Sequence, residues 1–254
     1  MALESVANNI EDVLIDGLSF KLSPGASYIT NRKSVNFYPQ GSNIYSPNSG
    51  TKVMKILVNG SDFLDPSTLR VAFDVVNKDV TVLNRLRNVS GPWGFFRRVS
   101  LKCQGTTIED IDYYNRTHEM YHRLQPEHVK DNEASEHFGK SFDGVAFKKG
   151  EINENNLYGI EGGNGKKTVL FKPMVGLLNQ HKFIPLSYCP LTLELELVDD
   201  LLTPILTTQV HAGLEHFAES NNWQIEHVRV MCDVVTLDNA LENSYASHIL
   251  SGKT

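Results

Sequence analysis

The chain has 254 residues, of which 41% are hydrophobic and 21% charged, with 18 Gly, 10 Pro and a formal net charge of −6. This is the composition of a folded globular chain, and it excludes disorder, collagen and coiled coil as the main architecture. The acidic balance leaves no basic surplus for neutralising phosphates, which argues against a dedicated nucleic-acid binder.

Taken in chain order, residues 1–24 read as an N-terminal arm. Leu3, Val6, Ile10, Val13 and Leu14 would form one apolar face of a short helix stopped by Gly17 and Ser23-Pro24-Gly25. From Tyr28 the period becomes 2. Val35 and Phe37 alternate before Pro39, and Lys52–Val58 is a β-rich run ended by the turn pair Asn59-Gly60. Leu69, Val71, Phe73 and Val75 alternate with Arg70, Ala72 and Asp74, which predicts a strand buried on one face. Phe96–Cys103 predicts another half-buried strand, ending at Gly105. Leu191, Leu193, Leu195 and Leu197 alternate with Thr192, Glu194 and Glu196, the cleanest strand pattern in the chain. Gln224–Thr236 gives a last long strand whose apolar phase slips between Ile225 and Val228, the signature of a β-bulge.

Helical spacing is confined to two pieces. Glu109–Gln125 carries a 3.6 period through Tyr114, His118, Tyr121 and Leu124, with Tyr114 and Tyr121 inward and Pro126 as the stop. Asp238–Leu250 has Asp238 as its expected N-cap and Gly252 beyond its end. The Gly- and Asn-rich stretch 139–165 reads as a long loop. No βα alternation and no repeat occurs, so a mainly β sandwich or jelly roll is the expected class, with short helices inserted in long loops.

No apolar run approaches the roughly 20 residues that span a bilayer, and Met1–Val6 lacks the basic-then-apolar opening of a signal peptide. Cys103, Cys189 and Cys232, odd in number and far apart in sequence, suit free thiols in a reducing compartment. The expectation is a soluble chain made in the cell interior and not secreted, with the sequons at Asn59, Asn88 and Asn115 unmodified.

Four patterns invite chemistry. His118-Glu119-Met120-Tyr121-His122 matches H-E-x-x-H, which places two imidazoles on one helical face to share a zinc ion, with a carboxylate as general base. His128 stands where a longer pattern has its third ligand, yet Gln125 replaces the glycine that turns the chain back. A zinc-dependent metallohydrolase using His118, Glu119, His122 and His128 is therefore the runner-up reading, and no metal or cofactor is expected. Gly165-Lys166 is followed by Lys167 where a phosphate loop needs Ser or Thr, and Ser251-Gly252-Lys253-Thr254 lacks the first glycine, so both read as turns. Asp199-Asp200 reads as a solvated strand end, and Cys189, between Tyr188 and Pro190, as a lead-in to a strand. Arg85, Arg87, Arg97 and Arg98 surround Gly91–Phe96. That mixture could stack on bases, but it reads better as core or as a protein interface made by Trp93, Phe95, Phe96, Arg97 and Arg98. A β-sandwich binding module with Trp93 exposed is a third reading.

An ordered set of segments carries a resemblance. Ser42–Pro47 leads through Ser49–Lys52 into Val53–Val58 and Phe63–Thr68; Tyr114-Asn115-Arg116 and Glu119-Met120 follow. Then come Phe171-Lys172-Pro173, Gly176-Leu177-Leu178, Phe183–Leu186, Tyr188–Leu191 and Glu194–Leu197, and finally Cys232-Asp233, Thr236-Leu237-Asp238 and Ser251-Gly252-Lys253. This order resembles the double jelly-roll major capsid proteins of polinton-like viruses and their relatives, over nearly the whole chain. The resemblance implies a structural virion protein of an icosahedral double-stranded DNA virus, without catalytic activity. It would be built from eight-stranded jelly rolls, three subunits forming a pseudo-hexagonal capsomer, with the chain itself and minor capsid proteins as partners. It further implies an arm at 1–24, a first barrel at 25–237 with an inserted loop at 105–165, and a helical link at 238–254 toward an absent second barrel.

Overall fold

The structure, a computed structural model, describes residues 29–82, 84–138, 159–206 and 220–250. The arm 1–24, most of the loop after Phe138, and the Gly252-Lys253 motif lie outside the described residues. Residues 34–233 form one compact unit. Residues 29–33 with 234–250 form another, which holds the Thr30 Oγ1 to Thr236 carbonyl hydrogen bond of 3.1 Å and the helix α3 (Asn239–Leu250). That helix starts one residue after Asp238, as expected.

Two antiparallel sheets organise the chain. The first contains β1 (Ile29–Phe37), β12 (Trp223–Leu237) and β4 (Phe63–Asn77) in that order, and β9 (Lys166–Phe171) pairs with β4. The second runs β3 (Val53–Val58), β11 (Leu191–Leu197), β6 (Phe96–Cys103), β7 (Thr106–Ile111). The first strand thus lies beside the last, and apart from the β6–β7 hairpin each long strand passes from one sheet to the other. That winding is a jelly roll. Four two-residue strands complete twelve among the described residues: β2 (Ile44–Tyr45) on β12, β10 (Ile184–Pro185) on β4, and the separate pair β5 (Arg85–Leu86) and β8 (Ile160–Glu161).

The cleanest sequence pattern gives the cleanest element. β11 alternates buried and half-buried residues throughout, with its four leucines facing the core and Thr192, Glu194 and Glu196 facing out. Each leucine fully removed from water contributes about 2–3 kcal/mol of transfer free energy. The partners from β3 and β4 are Met54, Ile56, Val71, Phe73 and Val75, all fully buried. Phe73 stands edge-on to Phe96 at 5.4 Å and to Phe95 at 6.1 Å.

The structure corrects four expectations. β4 is not buried on one face only: Ala72, Asp74 and Val76 on its other face are buried too. The β6 pattern changes phase because Leu197 pairs with Phe96 while Glu196 pairs with Arg98, leaving Arg97 as an extra residue, so Phe96, Val99 and Leu101 all reach the core. The helix predicted from Glu109 begins only at Tyr114, because Thr106–Ile111 is rich in β-branched residues and pairs along β6 as β7. Residues 106–111, expected to lie in a loop, therefore form the edge strand of the second sheet. Finally, Tyr121 faces water, with 53% of its surface exposed. The predicted bulge of β12 is present: Glu226 and His227 both point away from the core, and His227 takes φ +51°.

Candidate functional site

Gly91-Pro92 opens a single 3-10 turn, Pro92–Phe95, that drops Trp93 into the protein beneath the helix α1 (Tyr114–Leu124). Gly91 is required here, since a side chain at that position would run into the Trp93 ring. Trp93, Phe95 and Phe96 are each at most 1% exposed. These three candidate interface residues are therefore core residues of the chain's own fold, and Trp93 is not the exposed platform that the binding-module reading needs. The reason is local: the 3-10 turn delivers consecutive aromatic rings to the space between the sheets, where Phe95 meets Trp223 edge-on at 4.8 Å.

The H-E-x-x-H helix is built around that tryptophan. His118 stacks on the Trp93 indole at 4.1 Å with planes 21° apart, and His122 lies tilted at 4.7 Å from it. Glu119 accepts the Trp93 Nε1–H at 3.1 Å and the Arg123 Nε–H at 2.9 Å. The would-be general base is thus engaged as a hydrogen-bond anchor for the indole. His118 Nε2 faces the Lys172 carbonyl at 3.4 Å, so that nitrogen carries the proton, while the buried Nδ1 has no hydrogen-bond partner. Burial pushes the His118 imidazole down to about 4, against the smaller opposing pull of the Lys172 carbonyl. His122 Nδ1 lies 3.1 Å from Gln125 Oε1 and 3.8 Å from Glu133 Oε2, on the helix α2 (Glu127–Glu133) that follows Pro126. His128 is exposed on α2. Among the described residues no group of three His, Cys, Asp or Glu is arranged to hold a metal ion.

One member of this cluster and its sequence neighbour carried no signal in the sequence. His137, nearly buried, stands edge-on to Trp93 at 4.9 Å, and burial pushes its imidazole down to about 4. Glu136 accepts the Leu170 N–H at 2.8 Å through its carbonyl and pairs with Arg70 at 3.6 Å, which ties the end of the insert to β9 and β4. Both belong to an aperiodic segment, and only the folded chain brings His137 to Trp93 and Glu136 to Arg70.

The remaining arginines are not free for phosphate. Arg97 pairs with Asp199 at 2.7 Å and with Asp112 at 3.5 Å; Arg98 forms a fork to Asp110, its Nε–H at 2.7 Å; Arg85 pairs with Glu161 at 2.7 Å. Lys52 joins Asp199 at 3.2 Å, and Lys102 meets Glu194 at 2.6 Å. Apart from Arg85–Glu161, which links β5 to β8, these pairs turn the outer face of the second sheet into a charge-compensated surface. Asp199, read as a solvated strand end, is held below the usual carboxylate range by its hydrogen bonds to Arg97 and Lys52. Gly163, Asn164 and Gly165 form a turn, the Gly163 N–H donating to the Asp79 carbonyl at 2.6 Å and the Gly165 carbonyl accepting from Asn77 N–H at 2.9 Å, whereas Lys166, expected in the turn with Gly165, already begins β9. On α1, Met120, Tyr121 and Leu124 are exposed.

No protein-family model and no curated protein sequence matches the chain. Solved structures do. The PBCV-1 virus capsid matches at a TM-score of 0.50 over 89% of this chain and 47% of that one, with 16% identity. PBCV-1 VP54 fitted into a reconstruction of the virophage Sputnik gives the same values. The Sputnik virophage structure itself matches at a TM-score of 0.55, over 87% of this chain and 50% of that one, with 11% identity. The fold is a jelly roll similar to that of these capsid chains. The chain spans about half the length of these capsid chains. No helix of the described residues is long and apolar enough to cross a membrane.

Proposed function

We propose that the protein is a structural capsid protein, located in the virion, that self-associates into pseudo-hexagonal capsomers of an icosahedral shell, with three subunits per capsomer. The observation that carries this reading is the jelly-roll winding, with its first strand beside its last, shared with capsid structures of PBCV-1 and Sputnik across most of the chain. The physical logic is one of rigidity. A closed two-sheet core packed with Phe73, Phe96, Phe171 and the β11 leucines gives a stiff wall, and insertions between strands can then set contacts without disturbing it.

On this reading the chain is the first barrel, and α3 opens the link toward a second. The subunit has no catalytic turnover, and its partners are further copies of itself and minor capsid proteins. The test is sedimentation of native material through a density gradient, followed with an antibody against a peptide from β12. Co-sedimentation with shells supports the proposal, and recovery only as a slowly sedimenting monomer overturns it.

A further inference from the structure

Cys103 and Cys189 stand far apart in sequence, yet the fold joins them. Cys103 is the last residue of β6 and Cys189 precedes β11 by two residues. In the β6–β11 pairing, Cys103 is opposite Leu191, and the Gln104 N–H donates to the Pro190 carbonyl at 3.4 Å. Those two facts make Cys103–Leu191 a non-hydrogen-bonded pair, the kind whose side chains approach most closely. Cys189 lies in the bend that leads from the Pro185 turn into β11, its N–H donating to the Pro185 carbonyl at 2.9 Å, two residues before the partner of Cys103.

A second contact holds the segment before β11 in place: the Gln104 side-chain amide donates to the Tyr188 carbonyl at 2.8 Å. Gln104 itself sits at φ +49° in a tight turn with Gly105 at φ +85°, so the Cys103 end of the strand is fixed from both sides. The two thiols are within hydrogen-bonding reach of each other, and both residues are partly open to solvent. Cys232, the third cysteine, is buried in β12.

We propose that Cys103 and Cys189 are an oxidation site: a pair that closes to an intramolecular disulfide by exchange with a small-molecule disulfide, stapling the end of β6 to the start of β11. The Cys103 thiolate attacks one sulfur of the small disulfide and forms a mixed disulfide, expelling one thiolate. Cys189 gives up its proton to water and attacks the Cys103 sulfur, expelling the second. The protein loses two protons and two electrons, and the small disulfide is reduced to two thiols. Burial and the neighbouring Cys103 push the Cys189 thiol up to about 11, so closure is faster in mild alkali.

The test is intact-mass and peptide mapping of the full chain after incubation with oxidised glutathione, with Cys103→Ser and Cys189→Ser beside the parent. The expected parent product lacks two hydrogens, carries no glutathione, and yields a linked peptide containing Cys103 and Cys189. Its thermal midpoint rises by on the order of 5 °C, reversed by reductant. Cys189→Ser is expected to trap glutathione on Cys103. A parent that accumulates glutathione adducts without closing, or that links through Cys232, overturns the proposal, and this readout on the parent alone does not depend on either variant folding.

Discussion

Trp93→Ala separates a structural tryptophan from a binding platform. The indole is 1% exposed, stacked on His118 at 4.1 Å, edge-on to His137 at 4.9 Å, and bonded through Nε1–H to Glu119 at 3.1 Å. Truncating a buried tryptophan to alanine costs about 3–5 kcal/mol, the lost transfer free energy plus the cavity left behind. Glu119 keeps Arg123 and is partly solvated, so its lost partner adds little beyond that range. With a urea dependence of about 3 kcal/mol per molar at the upper end for single domains, the unfolding midpoint should fall by roughly 1–2 M. Trp93→Phe retains most of the ring but not the donor, and should lose about 1–2 kcal/mol. Far-ultraviolet circular dichroism against urea measures both, since the second tryptophan, Trp223, complicates fluorescence. In a Trp223→Phe background, acrylamide should quench Trp93 poorly until the chain unfolds. A midpoint unchanged by Trp93→Ala, together with efficient quenching in the native state, would refute the argument.

Other consequences follow from the same geometry. Leu193→Ala, in the middle of β11 at 1% exposure, should destabilise by about 2–5 kcal/mol in the same urea assay, whereas Glu194→Gln beside it, in a half-exposed pair with Lys102, should cost under about 1 kcal/mol and lose its effect in high salt. His118 and His137 are held at about 4 against an ordinary 6.5, so the folded state binds fewer protons than the unfolded one in that window. Their contribution is complete above pH 6.5 and is lost as pH falls toward 4. Amide exchange of α1, corrected for intrinsic rates, should therefore rise between pH 7 and pH 5 while β11 stays protected, and His118→Phe should blunt the rise. Burial pushes the Cys232 thiol up to about 12, so iodoacetamide at pH 8 should alkylate it only after denaturation, and Cys103 well before.

What the sequence revealed depended on how local the determinant was. β11 was legible in full because one face is solvated and strict alternation survives. The β12 bulge was legible because a bulge shifts the burial phase, and the shift appears in the order of Ile225 and Val228. β4 misled because its outer face is also covered, so Asp74 looked solvated while it bonds the Thr168 hydroxyl at 2.6 Å and His227 at 2.9 Å. The Glu109–Gln125 helix prediction failed at its start, where Glu109–Ile111 belongs to the β-branched run of β7. H-E-x-x-H gave two imidazoles on one face correctly, but spacing cannot reveal that the face abuts Trp93, which sits over twenty residues upstream and uses Glu119 for its own hydrogen bond. The Cys103–Cys189 contact is likewise invisible until β6 and β11 are in register.

The central claim is that this jelly roll is a wall element of a shell, and the most direct measurement is electron cryomicroscopy of native particles captured with an antibody to β12. The account predicts density for the β3-β11-β6-β7 and β1-β12-β4 sheets repeated around the axis of a pseudo-hexagonal capsomer. Particles whose capsomers contain no copy of this chain, or native material that stays monomeric at every concentration, would contradict it.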